Sequence, residues 1–275
     1  MDHTFVIWFA VGLLAFLLLA AGGYAYVRFV LSEIDIISEK TAAKLKQSDP
    51  AFEPERFRGM IRSILDRQDF LLKTRVIFHD FPHAGRRNTR KLNANTALPG
   101  TGLIVFTPGW AAVLFRCLRS RGCRQKCDLP EDADVSRNMK RIPGHDEGTD
   151  RLLDFFVFTL GHEMTHKEGQ YRPLFAVGRK RKFAGWVREV HADLGSLRKT
   201  GLTPERVESC IRGRAREGPD LSRGLHPSWE YRIAMMKRKN FDAALIDQIA
   251  RDLGMNDRRF CRKVNKHYSS LFFIA

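Results

Sequence analysis

The residues with the clearest chemical meaning are His162, Glu163 and His166, in the run Gly161-His162-Glu163-Met164-Thr165-His166. On a helix, residues four apart lie one above the other, so both imidazoles can reach a single tetrahedral metal from one face. Glu163 stands beside them, where a carboxylate can take a proton from an attacking water. The order H-E-x-x-H is the pattern of a zinc-peptidase helix. Alone it also describes a solvated helix with two incidental histidines, so the rest of the chain must supply what zinc still needs.

A catalytic zinc takes three protein ligands and keeps a fourth position open. Glu189-Val190-His191-Ala192-Asp193 offers the third. In a helix Glu189 and Asp193 share a face while His191 points away, which makes Glu189 the expected ligand and His191 the reserve. Asp193, one turn on, is placed to accept the free N–H of a zinc histidine and fix its ring. A third group follows in His226-Pro227-Ser228-Trp229-Glu230-Tyr231-Arg232. His226 and Arg232 each admit two readings. They are donors for charge developing on an attacked carbonyl, or a helix-entry residue before a proline and a structural ion-pair partner.

These side chains need rigid elements to hold them. The zinc helix is expected to begin at a Thr149 or Asp150 cap and to be central, since Leu152, Leu153, Phe155, Phe156, Val157, Phe158 and Leu160 make it apolar nearly all round. Thr203-Pro204 opens a further helix through Ile211, and residues 241–254 form another. Residues 74–81 read as a strand. Leu103, Ile104, Val105, Phe106 and Thr107 form the clearest one, bounded by Pro99-Gly100 and Pro108-Gly109. That strand is expected at an exposed sheet edge, where main-chain hydrogen bonds would hold an extended peptide. A helix at 110–118 follows. Then comes a basic insertion, 116–150, carrying Cys117, Cys123 and Cys127 at spacings that match no standard zinc module. His79 and His83 lack partner spacing and are expected not to be ligands.

Residues 5–27 form an uncharged apolar run long enough to cross a hydrocarbon core of about 30 Å as a helix. The expectation is a membrane anchor over 1–31, a helical linker over 32–73, with apolar Ile34, Ile37 and Ala42, then Phe57, Met60, Ile61, Ile64 and Leu65, and a catalytic domain over 74–275. Positive charge after the run, at Arg28, Lys40, Lys44 and Lys46, predicts a single-pass protein with a cytoplasmic domain. Five cysteines, an odd count, suit a reducing compartment. The net charge of +16 fits an anionic membrane surface best. A nucleic-acid partner or an acidic substrate explains it less directly.

Taken in order, H-E-x-x-H, then Glu189-Val190-His191-Ala192-Asp193, then His226-Pro227-Ser228 with Arg232 six residues after the histidine, the motifs resemble the HtpX and CAAX prenyl protease 1 family of gluzincin zinc endopeptidases. Asn93-Ala94, the strand at 102–107, the Lys199-Thr200-Gly201 turn and Pro204 extend the resemblance over roughly 70–240. It implies an α+β, mostly helical, zincin-like domain with a small sheet and one Zn2+ held by His162, His166 and Glu189. It also implies Glu163 as general base, His226 and Arg232 near the oxyanion, and a protein or peptide substrate. With 22 residues between His166 and Glu189, at 167–188, and no hydrophobic hairpin there, the chain looks like a compact, single-anchor version. A regulatory gluzincin that cleaves one specific partner, or an inactive basic adaptor, are the rival expectations.

Overall fold

The computed structural model describes residues 3–32, 34–71, 74–79, 94–97, 103–119, 147–173, 175–211, 224 and 226–272. His83, the basic loop at 86–91, and 120–146 with Cys123, Cys127 and His145 lie outside the described residues, as do residues 273–275.

Within the described residues the protein is a mostly helical α+β fold with a three-stranded sheet. Two helices, α2 (Glu39–Ser48) and α3 (Pro54–Leu65), precede strand β1 (Arg75–Phe78). Ser38 caps α2 by accepting from the Thr41 amide, and Pro54 opens α3 where a missing N–H costs nothing. Strands β2 (Ala94–Ala97) and β3 (Leu103–Phe106) complete the sheet in the order β1-β3-β2. β3 runs parallel to β1, with Val76 opposite Ile104, and antiparallel to β2, with Thr96 opposite Ile104.

That order corrects the expectation for 103–107. β3 is the central strand, and Leu103, Ile104, Val105 and Phe106 are all buried, so their backbone groups are spent on two neighbours. Thr107 lies beyond its end. The uninterrupted apolar run is the mark of a strand covered on both faces, whereas an edge strand with one wet face alternates. The outer edge of β1 is covered as well. The Phe78 amide donates to Ile36 O at 2.6 Å and the Ser38 amide to Phe78 O at 3.3 Å, making a bridge from Ile37 to Phe78. Residues 34–37 therefore form no helix: the chain bends at Ile36, whose φ is 56°, and pairs with β1 through Ile37.

Residues 34–71 are not a separate linker either. Ile37, Leu45, Phe57, Ile61 and Ile64 share one buried cluster with Phe78, Phe106, Phe115 and Phe156. Phe57 meets Phe78 edge-on at 5.1 Å, and Phe106 lies 4.9 Å from Phe156 between ring centres. Fully burying a side chain of this size contributes about 1.5–3 kcal/mol.

After β3 comes α4 (Pro108–Arg119), then the long pair α5 (Glu147–Thr165) and α6 (Gly178–Thr200). α5 starts earlier than the expected cap at Thr149 or Asp150. α6 stops at Gly201, whose φ of 67° suits a residue without a side chain. Thr203 caps α7 (Pro204–Ile211) by accepting from the Arg206 amide, as its sequence predicts. Ser228 and Asp242 do the same for α8 (Trp229–Met236) and α9 (Ala243–Asp252), and α10 (Arg258–Phe272) closes the chain. A second buried cluster joins α6, α8, α9 and α10 through Phe183, Val187, Val190, Met235, Ile249, Val264 and Tyr268.

The N-terminal helix α1 spans His3–Ser32, and Trp8, Phe9, Phe16 and Leu19 on it are exposed. The membrane anchor is corrected at this point: among the described residues, no helix is long and apolar enough to cross a membrane. The single-pass, cytoplasm-facing assignment is withdrawn on that finding.

α5 and α6 pack face to face through two glycines. A Cβ on Gly161 would lie 2.6 Å from Ser196 Oγ, and one on Gly195 would lie 2.5 Å from Thr165 Oγ1. Both partners are fixed, because Ser196 donates to Phe158 O at 2.6 Å and Thr165 to Gly161 O at 2.9 Å. Gly195→Ala is therefore expected to destabilise the fold by about 1–3 kcal/mol through overpacking, despite alanine's better helix propensity, as read from urea unfolding.

Candidate metal centre

Both expected histidine ligands come from the last turn of α5 and the residue after it, where the chain still donates from the His166 amide to His162 O at 3.1 Å. The carboxylate comes from the middle of α6. The helix crossing brings them together. His162 Nε2 lies 2.9 Å from His166 Nε2, and Glu189 oxygens lie 3.5 Å from each of these nitrogens. His162, His166 and Glu189 thus form a buried group that could hold a metal ion. Ligands about 2.0–2.1 Å from one tetrahedral ion stand roughly 3.3 Å apart, so the donor triangle fits such an ion with small adjustments.

Both histidines are held from behind. His162 Nδ1 bonds Asp193 Oδ1 at 2.9 Å, as expected for Asp193. Asp193 is itself gripped from two directions by Arg232, whose Nε donates to Oδ2 at 2.7 Å while Nη2 donates to Oδ1. The Arg232 guanidinium also stacks 3.8 Å over Trp229. This decides between the two readings of Arg232. Nη2 lies 3.3 Å from His162 Nδ1, the ring nitrogen turned away from the other ligands. Its place is behind the ligand set, not over an attacked carbonyl, and the oxyanion role is corrected to positioning.

His226 is on the other side of the site. Its Nδ1 is 3.1 Å from Glu189 Oε2, and its side chain is 59% exposed. It therefore sits at the mouth, next to the ligand carboxylate. Glu163 is buried beside His162 on α5. His191 points away, as its position predicts. Its Nδ1 meets Gln170 Nε2 at 3.2 Å, and its ring packs on Phe241 and Tyr268, so it is no reserve ligand. His79 bonds Ser38 Oγ at 3.0 Å, in agreement with its exclusion.

Gln170 is the site residue that the sequence pattern missed. It lies in the turn after α5, is buried, and bonds His166 Nδ1 at 2.7 Å. Its position four residues after His166 was the available signal, but no motif marks it.

The ionisable groups here are strongly perturbed. Burial opposes charge on His162, but the hydrogen bonds to Asp193 and Glu189 outweigh it and push this imidazole up to about 9. His166 moves the other way, through burial and then the charge on His162. Burial would raise Glu189, yet its bonds to His162 and His226 hold it well below the usual carboxylate range. Asp193 is likewise lowered, with Arg232 overcoming burial.

A proton on His162 competes directly with a metal. Because the folded value lies above the ordinary 6.5, this group stabilises the metal-free fold fully below about pH 6.5. That stabilisation is lost as pH rises through about 9. Metal uptake runs in the opposite direction. Between pH 6.5 and 8.5 the apparent zinc affinity should rise about tenfold per pH unit, with about one proton released per ion, measured by calorimetry in buffers of differing ionisation heat.

No protein-family model, curated protein or solved structure matches this chain.

Proposed function

We propose that this chain is a zinc-dependent metalloendopeptidase with a zincin-like catalytic fold, hydrolysing peptide bonds of protein substrates. The observation that carries the reading is the buried convergence of His162 and His166 from α5 with Glu189 from α6, together with a carboxylate, Glu163, adjacent in sequence to the first ligand. Two nitrogen donors and one carboxylate form a three-ligand set that suits a catalytic zinc and leaves a position open. The motif order shared with HtpX-type gluzincins supports the same assignment, and with it a role in protein turnover.

When bound, zinc supplies Lewis-acid polarisation and a nucleophile near neutral pH. The chain's own residues do the rest. Glu163 accepts the proton of the attacking water and returns it to the leaving amine, the two halves of general base and general acid catalysis. Asp193 keeps His162 Nδ1 protonated, so that Nε2 presents its lone pair to the ion, and Arg232 keeps Asp193 ionised and aimed. His226 bonds Glu189 through Nδ1–H, and in its doubly protonated form it would also donate from Nε2 to the oxygen of the attacked carbonyl.

An extended substrate needs a strand with an unused edge. β3 has none, but among the described residues nothing pairs with the outer edge of β2, which packs near α5. Substrate backbone pairing along β2 replaces the role first expected of 103–107.

The test compares zinc content and casein degradation for the full chain, Glu163→Gln and Glu189→Ala. Wild type should carry one zinc and cleave. Glu163→Gln should keep zinc while losing at least about a hundredfold in rate, the scale of general acid–base catalysis. Glu189→Ala should lose both zinc and cleavage. A wild type without zinc, or a Glu163→Gln variant as active as wild type, would end the proposal.

A further inference from the structure

The bonds around Gln170 fix more than a side-chain position. Its Oε1 is 2.7 Å from His166 Nδ1 and 3.3 Å from Arg188 Nε, while its Nε2 is 3.1 Å from Arg188 O and 3.2 Å from His191 Nδ1. A guanidinium N–H can only donate and a backbone carbonyl can only accept. Turning the amide over would set donor against donor and acceptor against acceptor at Arg188, so its orientation is determined without reference to either histidine. Oε1 is therefore the atom facing His166, and His166 Nδ1 must carry the proton. The lone pair of His166 is left on Nε2, the nitrogen that faces His162 and Glu189.

We propose that Gln170 is the positioning residue for His166, setting its tautomer and ring plane as Asp193 does for His162. The proposal rests on reading His162, His166 and Glu189 as a metal centre. The two supports differ in kind. Asp193 is a carboxylate neutralised by Arg232, whereas Gln170 is a neutral amide with all four of its hydrogen-bonding places filled. A second anion beside a buried site already holding Glu189 and Asp193 would add repulsion, and an amide avoids it. Gln170 also joins the ligand to α6 through both main-chain and side-chain groups of Arg188. The spacing of His166 from the helix that carries Glu189 is thus set by a direct bond. The sequence offers Gln170 no other task, since it is buried in a turn and its partners are the ligand, the Arg188 backbone and side chain, and His191.

The experiment measures zinc affinity of the full chain by chelator competition for wild type, Gln170→Leu, Gln170→Asn, Gln170→Glu and Glu189→Ala, with 15N NMR of His166 in the zinc-free protein. Removing a bond of this type typically weakens metal binding by about 10- to 100-fold. Gln170→Leu should show that loss, and its His166 should populate both tautomers where wild type shows the Nδ1–H form. Gln170→Glu keeps an acceptor on Nδ1 but sets its second oxygen against Arg188 O, so it should weaken zinc binding less than Gln170→Leu and keep His166 in the Nδ1–H form. If Gln170→Leu does not fold, Gln170→Asn, one methylene shorter but still an amide, should show the same loss. Wild-type affinity in the variants that remove the bond, or an equal loss in Gln170→Glu, overturns the positioning role while Glu189→Ala still reports an intact metal centre. A wild type that binds no zinc overturns the metal centre itself, and the positioning role with it.

Discussion

Everything in the site depends on how closely α5 and α6 approach. Two of the three donors sit on one helix and its end and the third on the other, and metal ligation tolerates errors of only about 0.2 Å. Gly161 and Gly195 allow the approach, each filled from across the interface by Ser196 or Thr165. Those two hydroxyls bond carbonyls of α5, so the small residues leave neither a void nor an unpaired donor. A helix pair spaced by larger side chains would hold Glu189 too far from His162 and His166 for one ion to reach all three.

The contact also concentrates charge where burial makes charge costly. His162, Glu163, Glu189, Asp193 and Arg232 are all buried, and polar contacts join four of them in one chain from Arg232 through Asp193 and His162 to Glu189. Breaking a buried ion pair by removing one partner typically costs about 3–5 kcal/mol, whereas the intact pair adds little net stability. The Asp193–Arg232 pair therefore makes more sense as a device for orientation than as a source of stability.

Much of this was legible in sequence because helical spacing is local. The pairs His162/His166 and Glu189/Asp193 each lie four residues apart, and one rule of geometry places both members on one face. Thr203-Pro204 announced its helix for an equally local reason. The sheet was misjudged because strand order is a property of distant segments. Leu103 to Phe106 announced burial, but not that Arg75–Phe78 and Ala94–Ala97 would take both of its edges. Ile34 and Ile37 matched a helical stripe until the outer edge of β1 claimed their backbone. Gln170 lay in a turn between two strong motifs, where amide side chains are common and usually solvated. Its meaning comes from Arg188, 18 residues on.

The ligands also sit at a seam. α5 belongs to the aromatic cluster built on the sheet and α2–α4, with Phe156 against Phe106 and Phe78, while α6 anchors the cluster shared with α8, α9 and α10. Neither cluster by itself fixes the distance between His162 and Glu189. A smaller apolar cluster of Phe158, Leu202, Val207 and Met236 crosses between them, and at the site itself so do the two glycine contacts, the Asp193 and Gln170 bonds to the histidines, and Arg232 reaching from α8 into the pair. An ion held by all three ligands would be one more crossing of the same seam, and a strong one, since its binding energy adds to folding energy. Metal binding would then be coupled to the docking of the two halves. The residues that align the donors for chemistry are the same ones that keep the halves in register.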